Sequence, residues 1–301
     1  MPLAAFPKCF LDWICVEGKM APEEWIDLAA EQLDIDGLEF FINFTPTDDP
    51  RRMDSLREQA TRHQLKIPMM CCSPDFTKPT RQERLTEIEN QKKSIEAAAF
   101  MGCSFCRVLS GQRRPGVTIQ EGIQYAAECI QECLPFAEQH GIVLNLENHY
   151  KDSYWSYPEL AQKRDAFLAL LEAVGEHPNF GVNYDPSNAV VAGDDPIELL
   201  EQIKHRVVTI HASDRYFEGG ATFEDLKLMD AHPMQGYAGI LKHGIIGQGM
   251  NDYDQIFSIL AGVGFKGWIS IEDGQDPVVG KEHLRLSAEF LRQKMAEHGL
   301  E

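Results

Sequence analysis

The sequence lacks any run approaching the roughly 18 uncharged apolar residues that a membrane-spanning helix needs. It is short of positive charge: 28 Lys and Arg stand against 47 Asp and Glu, for a formal charge of −19. A surface this acidic repels phosphate backbones and anionic lipid faces, so neither nucleic acid nor membrane is expected as a partner. A single phosphorylated metabolite is not excluded, because one local cation can dominate one pocket. The opening MPLAAFPKCFLDW lacks a basic n-region and a long apolar core. It does not read as a signal peptide, and the expected location is cytoplasmic. Without an export signal, the 8 cysteines read as reduced thiols in apolar surroundings. Cys103 and Cys106 have a metal-type spacing but no second such pair, and Cys129 and Cys133 lie one helical turn apart. No Ser/Gly linker, low-complexity tract or charge block divides the chain, so residues 1–301 read as one domain. No glycine-rich phosphate turn follows the first apolar run near Trp13, which disfavours a doubly wound nucleotide-binding sheet. Gly247-Gln-Gly249 lacks a third glycine and a preceding strand, so it is a poor nucleotide signature.

What is present is an alternation. Eight short apolar runs read as strands: AAFPKCFLDWI, DGLEFFINF, LKIPMMCCS, FCRVLS, IVLNLENH, FGVNYDPSN, VVTIHASD and GWISIEDG. Helical patterns lie between them, near 22–34, 51–63, 81–101, 118–140, 157–175, 196–205 and 251–263, with a last one near 281–297. Strands alternating with helices imply parallel pairing through right-handed crossovers. Eight such units in 301 residues fit a (β/α)8 TIM barrel of the α/β class. Local punctuation agrees. Gly141 suits a helix C-terminus before IVLNLE, and Ala21-Pro22-Glu23-Glu24 suits a helix start. The connection 212–250 after strand 7 is unusually long and holds aromatics, His232 and His243. It reads either as a lid over a site or as a surface insertion.

Four of the last runs end in a side chain that binds divalent metals: Glu147, Asp185, His211 and Glu272. Each alone has a plain explanation, such as a salt bridge, a turn-opening Asp before Pro or a satisfied core histidine. On four consecutive parallel strands they converge at the C-terminal edge, where barrels of this kind place their sites. Three carboxylates converging would repel one another and take up protons unless a dication lay between them. Hard oxygens with one imidazole suit Mn²⁺, Mg²⁺, Co²⁺ or Zn²⁺ without selecting strongly among them, and Mn²⁺ is the expected ion.

These residues also carry a resemblance. ENH at 147–149, DPSN at 185–188, HASDR at 211–215 and SIED at 270–273 resemble the xylose isomerase-like barrel superfamily, in particular its sugar phosphate isomerase/epimerase group. The resemblance implies one divalent metal held by Glu147, Asp185, His211 and Glu272. It further implies that Glu147 and Glu272 act as the acid/base pair of a ketose epimerase, one on each face of the sugar carbon. The reaction so implied is α-proton abstraction through a metal-stabilised enediolate.

Substrate contacts are sought around these residues. His149 shares the face of Glu147 if the strand continues. Asn188 stands where many relatives have His, and Arg215 resembles an arginine that binds sugar hydroxyls, at a shorter offset from His211. Arg107, Gln112, Arg113 and Arg114 follow the fourth strand and could receive a phosphate or polyol. Lys151, Trp155, Glu39 and Trp13 are weaker rim candidates. The expected ligand is a sugar, sugar phosphate or cyclitol, and self-association through rim loops is an open expectation. The main alternative is a metal-dependent lyase on the same scaffold, a keto-inositol dehydratase or a keto-sugar deglycosylase. A nuclease of the endonuclease-four type would need more His ligands and a basic groove. A non-catalytic sugar-binding relic would not be expected to keep all four apparent ligands.

Overall fold

The architecture comes from a computed structural model that describes residues 1–151, 155–230, 240–274 and 276–300. The strands are β1 (Leu3–Ala5), β2 (Gly37–Leu38), β3 (Phe40–Phe41), β4 (Met69–Cys71), β5 (Phe105–Val108), β6 (Val143–Glu147), β7 (Phe180–Tyr184), β8 (Val207–Ala212), β9 (Arg215–Phe217), β10 (Leu241–His243) and β11 (Trp268–Ile271). The main sheet runs β2-β1-β11-β8-β7-β6-β5-β4-β3, with parallel pairing throughout. β2 and β3 are two halves of one strand, separated only by Glu39. The first half pairs with β1 and the second with β4. The sheet therefore closes on itself as an eight-stranded TIM barrel.

Helices return the chain between strands: Pro22–Gln32, Pro50–Arg62, Arg81–Met101, Ile119–Gln139, Arg164–Val174, Pro196–Ile203, Tyr253–Gly262 and Pro277–Glu297. Their starts are written in the sequence. Thr80 with Glu83 and Thr118 with Glu121 form reciprocal capping boxes. Gly141 sits at φ 68° just past the helix that ends at Gln139, as a helix exit requires. One contiguous apolar core fills the space between barrel and helices. Among the described residues, no helix is long and apolar enough to cross a membrane.

Several elements differ from the sequence reading. The run AAFPKCFLDWI is strand only over Leu3–Ala5, and Leu11–Cys15 is a short helix. The helix expected from 157 starts at Arg164. Its supposed first turn is a loop because its backbone donors are used elsewhere: Glu159 N bonds Tyr150 O at 2.8 Å, Leu160 N bonds Gly111 O at 2.8 Å, and Ala161 N bonds Ser110 Oγ at 3.1 Å. A helix not anticipated, Pro186–Ala192, follows β7.

The long connection after β8 is built rather than structureless. β9 and β10 form an antiparallel hairpin, with a helix at Phe223–Asp230 between them. Leu226 and Leu241 from this insertion pack with Val190 and Val191 in a second apolar cluster. Asp214 anchors its return. Its Oδ2 accepts from the N–H groups of Gly247 and Gly249, both at 2.9 Å. Its Oδ1 accepts from those of Arg215 at 2.9 Å and Asn251 at 3.1 Å. A Cβ at position 249 would lie 2.2 Å from Asp214 Oδ1, so that glycine serves this carboxylate, whereas Gly247 has φ 87° and lies against the Phe290 ring. His232 lies outside the described residues.

Candidate metal centre

Four strands repeat one short pattern. Asn145 is followed two residues on by Glu147, Asn183 by Asp185, Thr209 by His211 and Ser270 by Glu272. Side chains two apart on a strand share a face, so each pair sends one residue into the barrel and the next to its mouth. The first members are buried, and three of them, Asn145, Asn183 and Thr209, bond across strands. Asn145 Nδ2 donates to Thr209 Oγ1 at 2.6 Å, and Thr209 Oγ1 donates to Asn183 Oδ1 at 2.8 Å. The second members converge. Ligand atoms of Glu147, Asp185, His211 and Glu272 all lie within 4.8 Å of one another, and all four residues are buried.

Local structure fixes each one. Glu147 is the last residue of β6. Its Oε2 accepts from Arg107 at 2.8 Å and its Oε1 from Asn188 Nδ2 at 3.0 Å. Asp185 caps the helix Pro186–Ala192. Its Oδ1 accepts from Asn188 N at 3.0 Å and from Ser213 Oγ at 2.7 Å. Asn148 ties the ends of β6 and β7 by bonding both the carbonyl (2.6 Å) and the N–H (2.8 Å) of Asp185. Glu272 follows β11, and its Oε1 lies 3.1 Å from Lys8 Nζ. His211 Nε2 is 2.9 Å from Glu39 Oε2, while its Nδ1 faces Glu147 Oε1 at 3.4 Å and Glu272 Oε2 at 3.6 Å.

This donor set fits a divalent cation. His211 Nδ1 is buried, has no hydrogen-bond partner and points at two carboxylates. A ligating imidazole commonly gives its other ring nitrogen to a carboxylate in this way. The electrostatics agree. Burial, then repulsion by Glu272 and Glu147, pushes the Asp185 carboxyl up to about 7. Burial opposes a charge on His211, but Glu39, Glu147 and Glu272 outweigh it and hold the imidazole well above its usual value. Negative charge in the cluster thus exceeds what the protein's own cations neutralise, which is the condition a bound dication relieves.

A family model described as "Xylose isomerase-like TIM barrel" matches residues 28–294. The chain belongs to that family. An inosose dehydratase of Clostridium botulinum is 27% identical over 113 residues, which span 37% of each chain. Among solved structures, a D-tagatose 3-epimerase-like protein superposes with a TM-score of 0.76 at 18% identity, covering 99% of this chain and 98% of that one. The IolI protein, solved with a bound zinc atom, superposes with a TM-score of 0.69 at 19% identity, covering 100% and 97%. The family match gives the barrel family, and the two superpositions show the same fold in an epimerase-like protein and in a zinc-bound one.

The remaining residues singled out in the sequence fall into two groups. Arg107, His149 and Lys151 line the cleft over the cluster, beside Glu272 and two residues not singled out before, Lys8 and Tyr150. His149 lies there although β6 ends at Glu147. Its ring stacks on Tyr150, and its Nδ1 is 3.2 Å from Glu159 Oε2. Arg215 is buried, with its guanidinium 5.5 Å from the Tyr150 ring centroid. Asn188 reaches the site through Glu147. The second group stands apart. Arg113 is half-buried, donates its backbone N–H to Pro158 O at 2.8 Å and does not line the cleft. Arg114 ion-pairs with Asp75, and Gln112 Nε2 bonds the same carboxylate at 2.8 Å. Trp13 packs on Phe10 with centroids 6.1 Å apart.

Two residues were undervalued in the sequence. Lys8, just past β1, is a cation held against Glu272; burial alone would lower its ammonium, but Glu272 outweighs that and raises it. Glu39, read as a rim residue, lies inside the barrel at 0% exposure. The signal for it was a lone carboxylate within the apolar run GLEFF. Glu39→Ala removes the acceptor of His211 Nε2. The expected result is Mn²⁺ binding weaker by about 10–100-fold in isothermal titration calorimetry. An unchanged dissociation constant removes this role from Glu39.

Proposed function

We propose that the chain is a divalent-metal-dependent isomerase or epimerase that moves the proton on the carbon next to a sugar's carbonyl. The observation that carries this reading is the placement of Glu147 and Glu272. They come from different strands, 3.4 and 3.6 Å from one imidazole nitrogen, and each has one oxygen tied to a cation. A substrate carbon between them meets one carboxylate on each face, so one removes a proton and the other returns it. A divalent cation, Mn²⁺ by preference, held by Glu147, Asp185, His211 and Glu272 would polarise the carbonyl and lower the cost of losing that proton.

The surroundings suit both glutamates to this work. Burial would raise the Glu147 carboxyl, but His211, Arg107 and His149 together hold it well below the usual range. Burial would likewise raise Glu272, but Lys8 and His211 outweigh it and leave it lowered. Both are therefore ionised at neutral pH; the one that acts as base is ready as it stands, and the one that returns a proton first takes it from water. Asn188 orients Glu147 through Oε1, and Lys8 keeps the Glu272 carboxylate turned to the cleft. His149, Lys151 and Arg215 are the proposed contacts to substrate hydroxyls or to an anionic group.

A second reading is favoured by the inosose dehydratase match: proton abstraction followed by loss of a hydroxyl. Lys8, 3.1 Å from Glu272, supplies a positive charge that would stabilise a departing hydroxyl. A panel of keto-sugars, sugar phosphates and keto-inositols with Mn²⁺-, Mg²⁺- and Co²⁺-loaded protein tests both. Turnover of one class, lost on chelation and restored by metal, is expected. An epimer or aldose product supports the first reading, and an unsaturated product the second. Turnover undiminished by chelation overturns both.

A further inference from the structure

Beside the metal cleft lies a second one that the chemistry above does not use. It is larger, about 350 Å³ against about 50 Å³ over the cluster. Small-molecule sites run to roughly 300–1,000 Å³, so a substrate that reaches the cluster extends beyond the metal cleft itself. The two clefts adjoin. Phe41 lines both. Arg107, in the wall of the metal cleft, donates from Nη2 to Ser73 Oγ at 3.2 Å, and Ser73 lines the larger cleft.

The lining shows what would fit. Trp155 and Phe41 give two aromatic surfaces. Asn43, Ser73 and Asn90 give neutral amides and a hydroxyl. The charged residues in the lining are Glu87 and Lys93, which cancel. Flat apolar faces with neutral hydrogen-bonding groups recognise a polyhydroxylated ring, which is apolar across its faces and polar at its edges. An anionic group would find one Lys opposed by one Glu. The metal cleft is more heavily charged, with Lys8, Arg107 and Lys151 set against Asp12 and Glu272 in its wall.

We propose that this second cleft is a subsite for an uncharged pyranose ring, so that the substrate is a glycoside whose reacting ring lies at the metal centre and whose further ring lies against Trp155. This rests on the keto-sugar reading of the metal centre for the reacting ring, but the subsite binds by itself. Gln91 is the fixed part of its floor. Its Nε2 bonds Cys106 Sγ at 3.4 Å, and its Oε1 accepts from Cys72 Sγ at 3.3 Å.

The test is ligand-observed saturation-transfer NMR on the full chain, with methyl β-maltoside, cellobioside and lactoside as probes and glucose 6-phosphate as the charged control. The expected result is saturation of at least one neutral disaccharide. Trp155→Ala should weaken it about tenfold or more, and Trp155→Phe should retain it within about threefold. His211→Asn, which breaks the metal centre, should bind it as the wild type does. Disaccharide binding without metal-dependent proton exchange would uphold the subsite and remove the metal-centre reading. No saturation by any disaccharide, equal binding by Trp155→Ala, or preference for glucose 6-phosphate overturns the subsite.

Discussion

Replacing Glu272 or Glu147 by Gln should lower kcat/KM by roughly 10²–10⁴-fold, the usual contribution of a positioned acid or base. The substitution keeps the shape of the side chain and one oxygen donor. It removes the charge that takes a proton and the oxygen that Lys8 or Arg107 holds, at 3.1 and 2.8 Å. Gln at either position also weakens metal binding. The assay therefore belongs at saturating Mn²⁺, with the affinity of each variant measured first. Glu201→Gln is the control. That residue is exposed and pairs with Lys204 at 2.6 Å, and its loss should leave turnover within about twofold. Near-wild-type turnover in either site variant would remove that glutamate from the chemistry.

Asp214→Ala should loosen the whole insertion after β8. One buried carboxylate accepts four backbone N–H groups, from Arg215, Gly247, Gly249 and Asn251. Alanine leaves all four donors without that partner; those of Arg215 and Asn251 are buried, where an unsatisfied donor costs about 1–3 kcal/mol, while Gly247 and Gly249 are exposed. Water entering the gap recovers part of this. Burial, only partly offset by those four amides, raises the Asp214 carboxyl, so the charge itself was costly to bury. A net local loss of about 3 kcal/mol remains, or about a hundredfold in an opening equilibrium. Hydrogen–deuterium exchange of the segment 245–251 reads it directly. The expected result is exchange faster by about that factor there, with β6 and β7 unchanged. Equal exchange rates in variant and wild type would show that the loop is held by its apolar contacts at Leu226 and Leu241 instead.

The barrel was legible because each strand run carried its own period and each helix its own start. The metal cluster was legible because a strand period of two leaves a polar residue at the end of an apolar run only where the barrel opens. That signal was stronger than the end residues alone. NLE, NYD, TIH and SIE each hold a small polar residue two before the ligand-type one, and the barrel interior needs both. What escaped the sequence depended on partners distant in the chain. Glu39 and His211 are 172 residues apart, and Lys8 and Glu272 are 264 apart. Nothing local distinguishes those carboxylates and cations from surface charge. The helix Pro186–Ala192 escaped because PSNAVVA is short and rich in β-branched residues. It forms because Asp185 caps it, Pro186 opens it and Val190 and Val191 are buried. The loop at 157–163 was misread in the other direction. Its composition suits a helix, but Glu159 turns inward, where its Oε1 accepts from both Ser110 N and Ser110 Oγ at 2.8 Å.

Solvent deuterium is the most direct test of proton abstraction at this site. The Mn²⁺-loaded chain, incubated in D₂O with the keto-sugar it turns over, should place deuterium on the carbon next to the carbonyl. That label should be absent from the chelated protein and from Glu147→Gln and Glu272→Gln. Product formed at the wild-type rate with no deuterium at that carbon would contradict abstraction by these glutamates, since the hydrogen would then have moved without exchanging with water.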